Sequence, residues 1–177
     1  MVTVIIPALN EGETIGTVIS LVQKSPLVSE VIVMDDKSED NTVTVAGEAA
    51  AKVYTSTSLG KGASMREGIL FAKNEILLFL DADITTYPDD IVELMAGPLL
   101  DGNADFVKSV FTRQAGRVTE LVAKPLLRLL FPDLERFSQP LSGMVAGKKK
   151  SSRLDYMGAL EYPEPGSNRH SIAATGV

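Results

Sequence analysis

Asn74-Glu75-Ile76-Leu77-Leu78-Phe79-Leu80-Asp81-Ala82-Asp83 passes from polar residues through an unbroken apolar run into two aspartates one residue apart. A short apolar run without alternation predicts a strand buried on both faces, as in a parallel sheet covered by helices. The carboxyl end of such a strand is where open α/β sheets bind ligands. If extended backbone persists through Ala82, Asp81 and Asp83 project to the same side, because strand side chains alternate with period two. That pair suits a hard divalent cation, Mg²⁺ or Mn²⁺, shared with phosphate oxygens. A strand followed by a plain turn or helix cap is the competing reading, since Asp favours both.

The preceding chain repeats one plan. Residues 2–7 form a β-branched run stopped by Pro7, and the turn Ala8-Leu9-Asn10-Glu11-Gly12 leads into a helical pattern with Ile15, Val18, Ile19 and Val22 on one face. Asn10 and Glu11 can hydrogen-bond a base or ribose, but spacing alone favours Asn10 as a helix cap. Glu30-Val31-Ile32-Val33-Met34-Asp35-Asp36 is a second strand ending in acids, followed by a helix through Ala49. Residues 52–56 read as a third strand. The turn Leu59-Gly60-Lys61-Gly62 follows, then a helix over residues 63–73. Glycines flanking a lysine let backbone approach a phosphate while the ammonium meets its charge; an exposed turn explains them equally well. Neither G-x-x-x-x-G-K-[ST] nor an amino-terminal G-x-G-x-x-G is present, which disfavours a Walker loop and a nicotinamide Rossmann domain.

Past the two aspartates, Thr86-Tyr87-Pro88-Asp89-Asp90 matches a helix start, with Asp89 and Asp90 serving the terminus. Residues 104–112 read as a strand. Arg113-Gln114-Ala115-Gly116-Arg117-Val118-Thr119 then offers guanidinium groups, backbone N–H groups and a helix start, a combination that binds anions. Solvated loop charges are the alternative. The leucine-rich residues 121–134, interrupted by Pro125, read as a core or interface helix rather than a membrane-surface one. Phe137-Ser138-Gln139-Pro140-Leu141-Ser142-Gly143 is turn-rich and can border the site. Residues 151–177 read as an irregular or flexible tail containing His170, the single histidine.

Composition excludes several classes of protein. Of 177 residues, 23 are acidic and 17 basic, a net charge of −6 that argues against a nucleic-acid partner. Without cysteine there is no disulfide, thiolate metal site or cysteine nucleophile, which fits a cytoplasmic setting. The start Met1-Val2-Thr3-Val4 lacks a signal-peptide pattern, and no apolar run reaches the roughly 20 residues that span a bilayer. A soluble protein without a transmembrane segment is expected.

Taken together and in order, Val4-Ile5-Ile6-Pro7-Ala8-Leu9-Asn10-Glu11, Val33-Met34-Asp35-Asp36-Lys37-Ser38-Glu39-Asp40-Asn41-Thr42, Gly60-Lys61-Gly62 and Asp81-Ala82-Asp83 resemble the nucleotide-sugar half of GT-A, family-2-like glycosyltransferases. Gly116-Arg117-Val118-Thr119-Glu120-Leu121-Val122-Ala123-Lys124-Pro125-Leu126-Leu127 and Gln139-Pro140-Leu141-Ser142-Gly143 narrow the resemblance to glucosyl-3-phosphoglycerate synthases and their mannosyl relatives. This resemblance implies an α/β fold, a Rossmann-like, mostly parallel sheet flanked by helices. Residues 1–150 would form the nucleotide-sugar-binding and partial acceptor domain, with an incomplete carboxyl-terminal acceptor region. It implies that Pro7, Ala8, Leu9, Asn10, Glu11, Asp36, Gly60, Lys61 and Ala82 line the nucleotide sugar, with UDP-glucose favoured and a GDP-sugar second. Asp83, with Asp81, would hold Mg²⁺ or Mn²⁺, and Gly116, Arg117 and Thr119 would hold the phosphate of a small acceptor such as 3-phosphoglycerate. Asp81, Asp83 and Arg117 are then the catalytic candidates for retaining hexosyl transfer, and a homodimer is a compatible assembly. Met144 stands where those synthases commonly carry an acid, and the absence of tryptophan removes the Q-x-x-R-W signature of processive synthases. Transfer to a polyprenyl phosphate, and nucleotide-sugar binding without turnover, are the alternatives.

Overall fold

Strand β1 (Val2–Ala8) is buried along its whole length, because helices cover the sheet on both sides of it. Its side chains alternate between two apolar layers: Val2, Val4, Ile6 and Ala8 enter one, Ile5 the other. The computed structural model describes residues 1–110, 143–150 and 172–176, the last five as backbone.

The chain continues through α1 (Ile15–Val22), β2 (Val28–Asp35), α2 (Thr42–Glu48), β3 (Lys52–Thr55), α3 (Lys61–Phe71), β4 (Ile76–Phe79), α4 (Ile91–Leu100), β5 (Phe106–Val110), β6 (Val145–Lys148) and β7 (Ile172–Gly176). The sheet has seven strands in the order β3-β2-β1-β4-β6-β5-β7. Its first half, β3-β2-β1-β4, is wholly parallel, its successive strands joined by helical crossovers. β6 runs antiparallel to both β4 and β5. The carboxyl ends of β1, β2, β4 and β5 and the amino end of β6 therefore share one rim.

The first apolar layer gathers Ile15, Val18, Ile19 and Val22 of α1, Ile91, Val92 and Met95 of α4, and Leu78 and Leu80. The second gathers Met65 of α3 with Ile32, Met34, Leu77 and Phe79. This is the expected mostly parallel α/β sheet with helices on both faces, and the α1 stripe is the one its spacing predicts. β6 was not expected, and β7 falls within the stretch read from sequence as an irregular tail. Pairing specifies both strands, because Val145-Ala146-Gly147-Lys148 has little apolar pattern of its own.

The opposite rim is fastened by Glu30. Its carboxylate accepts from Thr3 Oγ1 at 2.8 Å, the Lys73 amide at 2.9 Å and Lys52 Nζ at 2.6 Å. Burial raises its proton affinity, but the Lys52, Lys73 and Thr3 hydrogen bonds outweigh this and hold it below the ordinary carboxylate value. β1, β2, β3 and the start of β4 are thus tied away from the ligand rim.

Candidate functional site

Strand β4 ends at Phe79, and Leu80 donates its amide to Ile5 O at 3.2 Å before the backbone leaves the sheet. Ala82 and Asp83 form a turn, so extended geometry does not persist through Ala82 and the period-two argument for the two carboxylates fails. They differ instead in environment. Asp81 is partly buried and ion-paired with Lys61 Nζ, whereas Asp83 is exposed and Ala82 packs into the core.

Two more elements converge on Asp81. The Tyr87 hydroxyl accepts from the Asp81 amide at 2.9 Å and donates to the Asp81 carbonyl at 3.1 Å. Burial first, then the charge of Asp81, pushes this phenol far above its ordinary range, so it stays a donor. From the other side comes Gly143, where a Cβ would lie 2.4 Å from Asp81 Oδ1 and 2.7 Å from Lys61 Nζ. A side chain there would have to displace the ends of the ion pair, so the close approach of the chain ahead of β6 favours glycine. Lys108 on β5 is buried as well; burial lowers its ammonium to about 8, against the pull of Asp81.

Lys61 opens α3. The residue before it, Gly60, has φ +106°, a conformation that side chains resist, and it donates its amide to Asp36 Oδ2 at 2.8 Å. The Glu67 carboxylate steadies the preceding turn, accepting from Thr57 Oγ1 at 2.6 Å and the Thr57 amide at 2.9 Å. The helix amino end and the Lys61 ammonium thus reach the rim together, a geometry suited to phosphate. Asp36 itself is buried, and its Oδ1 has no hydrogen-bond partner among the described residues. Such a carboxylate oxygen is a ready acceptor for a ligand N–H or hydroxyl.

The first two loops are clasped together. The Asn10 amide donates to Ser38 Oγ at 2.9 Å, and Asn10 Oδ1 accepts from the Glu39 amide at 2.8 Å. The Glu11 amide donates to Thr42 Oγ1 at 2.8 Å and the Gly12 amide to Asp40 Oδ2 at 3.0 Å. Hydrogen bonds from Thr42, then from Gly12, hold the Asp40 carboxyl below its ordinary range. Asn10 is therefore not a helix cap: Thr14 is the N-cap of α1, and Asn10 takes a left-handed φ of 56° to bridge the loops. Sequence reading missed Ser38, Asp40 and Thr42 as partners in this clasp, although their Asx- and ST-turn residue types were a usable signal.

Of the remaining expected site residues, Pro7 and Ala8 are buried at the end of β1, while Leu9 is half exposed beside them. Asp90 is the N-cap of α4 by position but makes no side-chain capping bond, and Asp89 pairs with Lys24 at 3.5 Å on the surface. Met144, the departure from an expected acid, is fully buried in the first apolar layer and so packs rather than reacts. Gly143 borders the site as expected. Gly116, Arg117, Thr119, the rest of residues 111–142 and His170 lie outside the described residues.

Asp81 and Asp83 are hard oxygen donors on one turn, so they fit Mg²⁺ or Mn²⁺ when ligand oxygens and water complete the shell. Among the described residues no group of three or more His, Cys, Asp or Glu is placed to hold a metal unaided. No helix among them is long and apolar enough to cross a membrane.

The sheet order and its acidic rim define a GT-A fold. The chain belongs to glycosyl transferase family 2, whose profile matches residues 3–153. It is similar to glucosyl-3-phosphoglycerate synthase of Petrotoga mobilis, with 36% identity over 169 residues, covering 81% of this chain and 52% of that protein. It is also similar to the glucosyl-3-phosphoglycerate synthase of Mycolicibacterium smegmatis, 36% identical over 84% of this chain and 56% of the relative. The chain thus spans about half the length of the curated relatives it matches.

Among solved structures, glucosyl-3-phosphoglycerate synthase from Mycobacterium tuberculosis in complex with Mn²⁺, uridine-diphosphate-glucose and phosphoglyceric acid superposes with a TM-score of 0.76 at 37% identity, covering 84% of this chain and 57% of that one. Mannosyl-3-phosphoglycerate synthase from Rubrobacter xylanophilus gives a TM-score of 0.78 at 31% identity, over 84% and 53% of the two chains.

Proposed function

We propose that this rim binds a nucleoside diphosphate sugar, UDP-glucose in first place, and that the chain takes part in transferring its hexose to 3-phosphoglycerate with retention of configuration. The observation that carries this reading is the convergence of Lys61, Asp81 and the α3 amino end at one point, with Asp83 exposed beside them and Asp36 Oδ1 unpartnered nearby. A nucleoside has an acceptor at Asp36 and a fixed wall in the clasped residues 8–12, while the diphosphate meets Lys61. Asp83 and Asp81 would hold Mg²⁺ or Mn²⁺, which supplies Lewis-acid stabilisation of charge on the departing diphosphate. Lys61 adds an ammonium for the same charge, preorganised by its ion pair.

The complexes formed by the similar M. tuberculosis enzyme support the choice of uridine, Mn²⁺ and phosphoglyceric acid. The acceptor phosphate falls to Gly116, Arg117 and Thr119, whose guanidinium and backbone donors suit an anion. A cytoplasmic protein and a homodimer accompany this reading, the latter tested by light scattering.

The deciding experiment is a product screen of UDP- and GDP-sugars against 3-phosphoglycerate, with and without Mg²⁺. Metal-dependent glucosyl-phosphoglycerate from UDP-glucose is the expected product; transfer to polyprenyl phosphate alone refutes the acceptor. The alternative is nucleotide-sugar binding without turnover, which would use the same rim of Lys61, Asp81 and Asp36. Metal-dependent UDP binding with no product from any pair would establish it.

A further inference from the structure

Asp81 is two residues past the end of β4, where the sheet ladder has stopped and backbone groups need new partners. Both of its backbone groups find one atom. The Tyr87 hydroxyl takes the Asp81 N–H at 2.9 Å and gives its own proton to the Asp81 C=O at 3.1 Å. One hydroxyl therefore closes the loop from residue 81 to residue 87 into a ring. The tyrosine is itself anchored: it is 7% exposed and packs in the first apolar layer with α1 and α4. Its ring also walls a cleft with Gly16, Thr17 and Ser20 of α1, so its position is set by the core and not by the loop.

We propose that Tyr87 is a positioning residue for the metal-binding turn, fixing the pose of Asp81-Ala82-Asp83 through the Asp81 backbone. Rotating the Asp81 peptide plane swings its carboxylate away from Lys61 and Gly143 and displaces Asp83 with it. The hydroxyl prevents that rotation by engaging both sides of the residue at once. Tyr87 touches neither carboxylate in this role. Its effect falls on metal affinity rather than on the nucleoside wall formed by residues 8–12, which is braced separately by Ser38, Asp40 and Thr42.

This inference rests on the reading of the rim as a metal and nucleoside diphosphate site, and the test separates the two. Mn²⁺ binding to the full chain is followed by electron paramagnetic resonance in the presence of saturating UDP, for the wild type, Asp83→Ala and Tyr87→Phe; UDP binding without metal is measured by calorimetry. Phenylalanine keeps the buried ring and removes only the hydroxyl. The expected result is a Mn²⁺ affinity at least roughly tenfold weaker in Tyr87→Phe, as for other residues that orient metal ligands, with metal-free UDP affinity close to that of wild type. A purely structural role lowers both affinities together, and that result overturns the assignment. Unchanged Mn²⁺ affinity in Tyr87→Phe, alongside loss in Asp83→Ala, overturns it while leaving the metal site intact. Absence of Mn²⁺ binding by the wild type overturns the metal site and this assignment with it.

Discussion

Lys61 Nζ and the Asp81 carboxylate form an ion pair whose two ends a side chain at Gly143 would have to push aside. In the proposed function each partner has another job, Lys61 toward phosphate and Asp81 toward a metal. The pair is thus a resident neutralisation that ligands exchange for their own charges.

Lys61→Met is expected to move two affinities in opposite directions. UDP should bind about tenfold or more weakly, the loss of one charge-assisted hydrogen bond, while Mn²⁺ alone should bind more tightly because Asp81 is released. Calorimetry with each ligand separately gives the two signs; parallel changes refute the exchange.

Gly143→Ala should destabilise the chain by about 1–3 kcal/mol, the usual cost of overpacking, and weaken UDP binding as well. The added Cβ falls 2.4 Å from Asp81 Oδ1, so strain and site distortion come from one contact. A thermal melt read beside a UDP titration tests this; a melt unchanged from wild type removes the argument.

Asp83→Ala is expected to abolish the metal-dependent part of UDP binding and to leave the melting temperature nearly unchanged. The side chain is exposed, so its loss opens no cavity and removes only the proposed hard oxygen ligand. A UDP titration with and without Mg²⁺ is the check, and a surviving metal effect refutes the ligand role.

Glu30 sets a pH dependence far from the site. Its folded-state proton affinity lies below the ordinary value of 4.5, so its contribution is fully present above that pH and is lost as pH falls through the lower folded value. Glu30→Gln should therefore be less stable by roughly 1–3 kcal/mol at pH 7 and show a shallower loss of stability below pH 4.5. Urea unfolding across pH 3 to 7 measures both; a variant with the slope of wild type rules out Glu30 as the source.

The sequence revealed residues whose role is local and missed those whose role is made by distant contacts. The β-branched run of β1, the apolar run of β4, the α1 stripe and the acids closing β2 all carry their patterns in adjacent residues. Asn10 misled because its type suits a cap, while its actual partners, Ser38 and Glu39, lie on another loop. Tyr87 read as part of a helix start, since nothing nearby marks a phenol that returns six residues to bracket Asp81. β6 has small residues and a glycine, so only its pairing with β4 and β5 makes it a strand.

Because β5 runs antiparallel to β6, Val110 at the end of the one and Gly143 just ahead of the other lie at the same rim of the sheet. The two ends of this connection are thus fixed by strand pairing. Closing a longer or shorter insert across fixed ends changes the entropy of the chain only slowly.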